Sequence, residues 1–483
     1  MLSWDAQRVA RSAGADLLAA PSDSGGPERV SIDSREAGPG VLFVGLAGEH
    51  VHGGIYAREA LAAGAWGVLT DPGHASDALR AGGADAVPGD GGDAVTGDGG
   101  DAVTGYGAGD RAGGAVLSAP DPLRALQSLA TAWRRELGDA GAQVIAVTGS
   151  TGKTSTKDIL AAVLGPHRST VASRANFNTE IGLPLELLTA PAGTEVLVLE
   201  MGMRGPGQIA ELVRIAEPDV GVIVSIGPVH LELLGSLEAI AAAKAELIAG
   251  LAAGSTAVVP AHEPLLEPHL RADLITVGFG PGGEVVLVSE TDSSVEIDDR
   301  GERISLSVDF TQAHLRRNLL AAVAAARAVG VTPAGAVALA LSPGRGQRVE
   351  LTDGVTLIDD SYNANPMSMR AALDELARAS VNPLDRPRRR VAVLGDMLEL
   401  GPGALDFHRE VGAHAAERAD LLITVGPLAA AMAETFPGPS RRAADAAEAT
   451  QVVRGLLRAG DVVLVKASNG VQLRQVCEAL APA

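Results

Sequence analysis

Val144–Ile159 reads V-I-A-V-T-G-S-T-G-K-T-S-T-K-D-I, and this stretch decides the fold. Its apolar opening, Val144 to Val147, predicts a buried strand. A glycine-rich turn follows from Thr148 to Gly152, and Lys153-Thr154 opens a helical pattern that runs to Leu164. Strand, glycine loop, Lys-Thr and helix form the order that a phosphate-binding loop requires. The glycines let backbone N–H groups turn onto phosphate oxygens, and the helix N-terminus adds positive potential. Gly149, Ser150, Thr151, Gly152 and Ser155 are the expected cradle. Lys153 is expected on the β- and γ-phosphates, and the Thr154 hydroxyl on Mg²⁺. The loop is a short form, T-G-x-x-G-K-T, because Val147 stands where the longer pattern has its first glycine. The plain alternative is a glycine-rich strand-to-helix turn.

The chain around this loop has 483 residues, enough for about two to four domains. Hydrophobic residues make up 46% and charged residues 20%, ordinary values for a water-soluble globular protein. With 39 basic against 59 acidic residues the formal charge is −20, which argues against a general nucleic-acid surface. A lone cysteine, Cys477, excludes an intrachain disulfide and a cysteine-built zinc site. The start, M-L-S-W-D-A-Q, carries neither the basic nor the apolar segment of a signal peptide. No apolar run reaches the roughly 18 to 20 residues of a membrane span. The expected setting is a reducing cytoplasm.

Outward from the loop the chain reads as an α/β protein of three domains, at 1–117, 118–341 and 342–483. In the first, Val41–Val44 and Val68–Thr70 predict strands and Tyr56–Ala63 a helix. Ser31-Ile32-Asp33-Ser34-Arg35 forms either a polar ligand loop or a solvated turn. A low-complexity tract spans 81–115, with an octad G-D-G-G-D-A-V-T at Gly89–Thr96 repeated at Gly97–Thr104. Such a composition buries too little apolar surface to offset its ordering entropy, so a disordered insertion is expected. Calcium binding by the repeated aspartates is the alternative.

Asp121–Leu137 predicts a helix with an aspartate cap and Pro122 in its first turn. Strands alternating with helices then predict a doubly wound, mainly parallel sheet: Val144–Thr148, Ser169–Ala172, Val196–Glu200, Val220–Ile226, Ser255–Pro260 and Leu274–Gly278. Glu284–Val308 reads as short antiparallel strands and Gln312–Val329 as a long Ala-rich helix. The composition turns to Pro and Gly at Leu341–Gly346. Beyond it, Val355–Ile358, Val391–Leu394, Leu421–Val425 and Asp461–Lys466 are the strands of a third α/β unit. R-P-R-R-R at Arg386–Arg390 reads as a solvated loop rather than a basic patch.

Four further positions carry chemistry. Glu200 ends an apolar strand at the carboxyl edge where α/β sheets bind ligands. It is either a Mg²⁺ acid or a structural cap or ion pair. His230 follows the next apolar strand, where a packed or surface histidine is the plainer reading. Lys244 lies in an Ala-rich helix, and by itself reads as a surface lysine. D-D-S-Y-N-A-N-P at Asp359–Pro366 ends a strand of the last domain and is either a ligand site or an Asx-rich turn.

Taken together these residues resemble the Mur ligases, the ATP-dependent amide-forming ligases of peptidoglycan synthesis. The resemblance covers nearly the whole chain except the low-complexity tract. Its carriers are V-L-F-V-G-L at Val41–Leu46 with Gly48-Glu49, then T-G-S-T-G-K-T at Thr148–Thr154 and N-F-N-T-E-I-G-L-P at Asn176–Pro184. Glu200-Met201-Gly202, His230 with Gly235-Ser236-Leu237, Lys244, His314 with Asn318, and Arg348 follow. D-D-S-Y-N-A-N-P, L-G-D-M-L-E-L-G at Leu394–Gly401 and Lys466-Ala467-Ser468 complete the set. The first and second of these last three motifs point to the branch that adds D-alanyl-D-alanine.

The resemblance implies a uridine-binding first domain, a central phosphate-loop ATPase domain and a Rossmann-like C-terminal ligase domain. It implies a ligation that joins D-alanyl-D-alanine to UDP-N-acetylmuramoyl-tripeptide through an acyl-phosphate, with ATP and two Mg²⁺ ions. Lys153, Lys244 and His230 are then catalytic. Thr154, Glu200, His230 and Lys244 serve the metals, with Lys244 as a carbamate. Asn318, Arg348 and Asp360 hold the nucleotide. Ser34, Arg35, Asn176, Asn363, Asn365, Lys466 and Ser468 contact the substrates, and the enzyme is a monomer. The chain departs from the family pattern at Asn469, where an arginine is usual, at His50-Val51-His52-Gly53-Gly54, where D-G-H is usual, and at Thr179. The rival readings are a sister ligase adding a single amino acid, a folate ligase and a non-catalytic scaffold. No D-N-P-R motif supports the diaminopimelate-adding branch, and a folate ligase lacks the uridine-binding domain. The scaffolds of this type carry a four-cysteine insertion, which one cysteine excludes.

Overall fold

A computed structural model describes residues 4–20, 25–81, 113–174, 176–380 and 388–481. The octads at 89–104 and Arg386 lie outside the described residues. The chain forms two compact units, Met1–Gly141 with Glu180–Gly193, and Ala142–Thr179 with Thr194–Ala483.

The first unit is built on a five-stranded sheet. Its order is Asp16–Ala19, Ala115–Ser118, Gly67–Thr70, Val41–Val44, Arg29–Ser31, parallel except for the first strand. Val41–Val44, Gly67–Thr70 and Ala115–Ser118 are buried along their whole length, as parallel strands covered on both faces must be. Ala115, at the end of the expected low-complexity tract, thus opens a core strand. Helix Pro122–Asp139 begins at the capping Asp121, whose carboxylate accepts the N–H of Arg124. Its buried Trp133 donates to the carbonyl of Ala190 (3.0 Å) and meets Trp4 edge-on, which holds helix Gly182–Thr189 to this unit.

The second unit holds two sheets. The larger has ten described strands, in the order Gly335–Val337, Glu302–Val308, Ser294–Asp299, Val285–Glu290, Ile275–Phe279, Thr256–Pro260, Val220–Ile223, Gln143–Thr148, Val196–Glu200, Thr170–Ala172. It is parallel from Thr170–Ala172 through Ile275–Phe279, and Val285–Val308 adds the expected antiparallel strands. The phosphate-loop strand, Gln143–Thr148, therefore has the strand of Glu200 on one side and Val220–Ile223 on the other. Strand order reverses at this point, and a crevice opens at the carboxyl ends. The Ala-rich helix Ala313–Ala328 packs against the phosphate-loop helix Lys153–Leu164, and its buried alanines allow the close approach.

The smaller sheet has the order Gln347–Glu350, Thr356–Asp359, Val462–Lys466, Arg390–Gly395, Leu421–Val425, Ser440–Ala443, and only its first strand is antiparallel. Parallel register sets Asp359 beside Val465 and Leu394 beside Lys466. The segments D-D-S-Y, L-G-D-M and K-A-S thus leave three adjacent strands at the same edge. Arg388–Arg390 does not form a solvated loop. Arg388 donates to the carbonyls of Gly354 and Gly460 (2.7 Å each), Arg389 pairs with buried Asp461 (2.6 Å) and Arg390 with Asp420 (2.8 Å). These arginines tie the amino ends of the strands together.

Candidate active site

The phosphate loop has the geometry that an anion needs. Gly152 sits at φ 82° and Gly149 at φ 150°, backbone that L side chains rarely adopt. A Cβ on Gly152 would lie 2.9 Å from Asn318 Oδ1, so space as well as backbone demands glycine there. The helix that follows has Gly152 as its N-cap and no side chain capping it. Its first-turn N–H groups are therefore left to a ligand or to water. Ser225 holds the loop open, accepting from Thr151 N–H (2.9 Å) while its carbonyl accepts from Ser150 N–H (2.9 Å). Lys153 Nζ rests on the carbonyl of Gly149 at 3.0 Å.

On the side facing the strand of Glu200, Val147 and Glu200 are register partners, which brings the carboxylate to the loop. Thr154 Oγ1 donates to Glu200 Oε2 (2.8 Å) and Asn178 Nδ2 donates to Oε1 (2.9 Å). Glu200 is buried, and both its oxygens are aimed by neighbours. Lys244 is only 2% exposed, so the surface reading of that residue is overturned. Burial first, and then the charge of Lys153, hold its amine well below the usual range. Burial also lowers the pKa of His230, against the opposing effect of Glu399, and the charges of Lys244 and Lys153 act in the same direction as burial. Lys153, Lys244 and His230 thus share one electrostatic neighbourhood, with Glu200 acting on Lys153. The Thr154 hydroxyl, the buried Glu200 carboxylate and the His230 ring are donors that suit divalent cations, and Lys153 with the loop N–H groups suits phosphate. A bare ammonium at Lys244 does not, whereas its carbamate is an anion.

A cleft of about 430 Å³ extends from the loop to the carboxyl edge of the smaller sheet. Ser150 to Ser155, His314, Asn318, Arg345, Asp360, Asn363, Asn365 and Lys466 line it. Asn318 Nδ2 is buried there without a hydrogen-bond partner, a donor that a bound nucleotide would satisfy. Asp360 Oδ2 accepts from Lys466 Nζ at 2.6 Å, and the Asn363 carbonyl accepts a second bond from it at 2.9 Å. Burial lowers the pKa of Lys466, opposed by the Asp360 carboxylate. Arg345 lies 4.0 Å over the ring of Tyr362, and its charge reaches both Lys153 and Lys466.

Comparison with known proteins bears on this arrangement. Residues 147–326 match the Mur ligase middle domain and residues 344–469 match the Mur ligase, glutamate ligase domain. The UDP-N-acetylmuramoyl-tripeptide--D-alanyl-D-alanine ligase of Bacillus subtilis is 38% identical over 378 residues, covering 76% of this chain and 81% of that protein. MurF of Acinetobacter baumannii superposes with a TM-score of 0.79 at 25% identity, over 99% of this chain and 98% of the other. MurF of Thermotoga maritima, solved in complex with ADP, gives 0.73 at 29% identity, over 94% and 96%.

The chain belongs to the Mur ligase family.

Several residues expected from the Mur ligase resemblance meet in the cleft and around Glu200, but others stand apart. Arg348 does not itself line the cleft, and its guanidinium pairs with buried Glu375, which does. Arg345, three residues earlier and not singled out in the sequence, is the arginine in the cleft. Asn178, also missed, orients Glu200. The Gly202 N–H donates to the Asn178 carbonyl (2.8 Å), and a Cβ at Gly202 would crowd the Asn178 side chain at 3.0 Å. Asn176 is exposed. Asn365 caps helix Pro366–Ala379 in a reciprocal box with Ser368. Ser468 is buried, accepting from Leu398 N–H (2.9 Å) and donating to the Ala364 carbonyl (3.3 Å).

In the first unit, Asp33 accepts from the backbone N–H of Arg35 (3.0 Å) and pairs with its guanidinium (2.6 Å). That hydrogen bonding draws the Asp33 carboxyl down to about 2. The Arg35 side chain is 87% exposed, and Ser34 is half-buried beside it. The unusual H-G-G also finds a reason. His74 packs against Gly54, where a Cβ would lie 2.7 Å from its ring, and stacks on His52 at 4.6 Å. His74 Nδ1 meets Asp71 at 2.5 Å, and His52 Nδ1 accepts from Gly54 N–H at 3.1 Å.

Proposed function

We propose that the chain joins D-alanyl-D-alanine to the terminal carboxylate of UDP-N-acetylmuramoyl-tripeptide, using ATP. One observation carries this reading. The uncapped phosphate-loop helix, the unpartnered Asn318 amide and the carboxyl edge of the smaller sheet line a single cleft. The ligase of Bacillus subtilis bears the name of this reaction, and the Thermotoga maritima relative binds ADP in its solved form.

The backbone N–H groups of Gly149 to Ser155 and the Lys153 ammonium hold the ATP phosphates. Asn318 and Asp360 hold the rest of the nucleotide, and Arg345 rather than Arg348 supplies the arginine. A tripeptide carboxylate oxygen takes the γ-phosphoryl group and ADP leaves. The D-alanyl-D-alanine amine then attacks the acyl carbon, phosphate leaves, and the nitrogen loses a proton. Thr154 and Glu200 hold one Mg²⁺, and His230 with a carbamylated Lys244 holds a second. When bound, these ions neutralise charge on the transferring phosphoryl group. The lowered pKa of Lys244 favours the neutral amine that reacts with CO₂. Catalysis on this reading is positioning and charge stabilisation.

Ser34 and Arg35 contact the uridine part of the substrate. Asn176, Asn363, Asn365, Lys466 and Ser468 lie toward the peptides. The enzyme works as a monomer in the cytoplasm, where its nucleotide substrates are made. No helix among the described residues is long and apolar enough to cross a membrane.

Phosphate release from ATP and Mg²⁺ tests the reading. Turnover is expected only with UDP-N-acetylmuramoyl-tripeptide and D-alanyl-D-alanine together, with the pentapeptide product confirmed by mass. Folded, ATP-binding protein that turns over neither the diaminopimelate nor the lysine tripeptide would overturn it. Lys244→Ala is expected to abolish activity, and short carboxylic acids to restore part of it. An inactive variant unresponsive to carboxylic acids would count against the carbamate.

A further inference from the structure

His230 is held by a residue of the other domain in its unit. It sits at φ 54°, ψ 28°, a left-handed conformation that a non-glycine residue keeps only where its surroundings impose it. Its Nδ1 contacts the carboxylate of Glu399, 169 residues further along the chain. Glu399 lies in the L-G-D-M-L-E-L-G segment and is itself left-handed, at φ 62°. Its carbonyl accepts from the N–H of Glu232 (3.2 Å), and Gly401, at φ 67°, approaches so closely that a Cβ there would lie 3.2 Å from Glu232 Cα. The other carboxylate oxygen faces Arg204 Nε at 3.8 Å. Arg204 stands in the loop that leaves the strand of Glu200, and His230 in the loop that leaves Val220–Ile223. One carboxylate of the C-terminal domain therefore touches the loop that carries His230 and the loop that follows the strand of Glu200.

We propose that Glu399 is a positioning residue that sets His230 only when the C-terminal domain is docked. This rests on the reading of His230 as a ligand of a divalent cation. A carboxylate on Nδ1 takes the N–H there and fixes the ring. The lone pair is then left on Nε2, the state and orientation that a metal ligand needs. Because the carboxylate arrives on a separate domain, docking and assembly of the cation site become one event. The two left-handed backbones facing each other mark a contact that both loops are strained to make.

The test uses the full chain with Mn²⁺ and a non-hydrolysable ATP analogue, with bound Mn²⁺ followed by electron paramagnetic resonance. Glu399→Asn removes the reach of the carboxylate, while asparagine tolerates left-handed backbone, so the loop is not strained further. Glu399→Gln keeps an oxygen able to accept from Nδ1. The expected result for Glu399→Asn is a Mn²⁺ affinity lower by about 10- to 100-fold. kcat should fall to a similar degree, with KM for ATP within about twofold of wild type and the melting temperature unchanged. Glu399→Gln should recover most of both losses. Wild-type Mn²⁺ affinity in Glu399→Asn would overturn the proposal, as would a loss of kcat that tracks lost stability in both variants. Wild-type protein that binds Mn²⁺ with the nucleotide but turns over no substrate would count instead against the ligase reading.

Discussion

Arg345 and Arg348 stand three residues apart in a Pro- and Gly-rich segment, and of the two only Arg345 lines the cleft. Arg345→Ala is expected to lower kcat by about 10²- to 10³-fold, as loss of a charge-stabilising donor does. Arg348→Ala should leave the kinetics near wild type and strip buried Glu375 of its partner, at about 1 to 3 kcal/mol of stability. Phosphate-release kinetics beside thermal denaturation check both, and the reverse pattern would return the role to Arg348. The sequence could not separate these arginines by spacing, since Arg348 lies on the strand Gln347–Glu350 and Arg345 on the turn before it. Thr154 and Glu200 were legible, because a phosphate loop and the end of the neighbouring parallel strand must share one edge. The burial of Lys244 had a signal as well. Leu237–Ala249 reads L-E-A-I-A-A-A-K-A-E-L-I-A, with apolar residues on most sides, the mark of a helix largely covered by its neighbours. On the carbamate reading Lys244 is a buried anion beside the Lys153 ammonium, so Lys244→Met is expected to lower the melting temperature while abolishing ligation. Each 1 kcal/mol lost would show as about 2 to 4 °C. A melting temperature that rises instead would mean that the lysine is buried as an uncompensated amine.

Four of the strands that the sequence missed share a position. Asp16–Ala19, Gly335–Val337, Gln347–Glu350 and Ser440–Ala443 are edge strands of their sheets. An edge strand is wetted along one side and is only partly buried, so it lacks the continuous apolar run that revealed Val196–Glu200 or Leu421–Val425. The helix after Ser440–Ala443 begins at Ala446 under the capping Asp445. Capping bears directly on Asn365, which is both the cap of Pro366–Ala379 and a residue of the cleft. Asn365→Ala is expected to cost about 1 kcal/mol, and Asn365→Ser to restore most of it, since serine also accepts the N3 N–H. A raised KM for D-alanyl-D-alanine that persists in the serine variant would assign the amide to substrate. A serine variant with wild-type kinetics would leave Asn365 as a cap alone.

Over the larger unit, the phosphate-loop helix and the segment that precedes the second matched domain are joined through one aspartate. Asp158, on the phosphate-loop helix, accepts both the N–H and the hydroxyl of Ser342, at 2.8 and 3.0 Å, and also pairs with buried Lys157 at 2.7 Å. Gln347 reinforces the turn by donating to the Leu341 carbonyl at 2.7 Å. The helix whose first turn lines the cleft thus also anchors the segment that leads into the second matched domain. On the proposed reading, whatever ATP gains from residues beyond that segment, Arg345 and Asp360 among them, depends on the anchor. Ser342→Ala removes one hydroxyl bond and leaves the backbone bond, a loss of about 1 kcal/mol. If the anchor holds the two sides of the cleft together, that loss appears in nucleotide binding, as a KM for ATP raised about fivefold with kcat little changed. A double-mutant cycle with Asp158→Asn should give less than the sum of the two single effects, because both changes act on the same contact. Additive effects on stability with an unchanged KM would show that the segment is tied down without bearing on ATP. The domains would then meet around the nucleotide by the cleft residues alone.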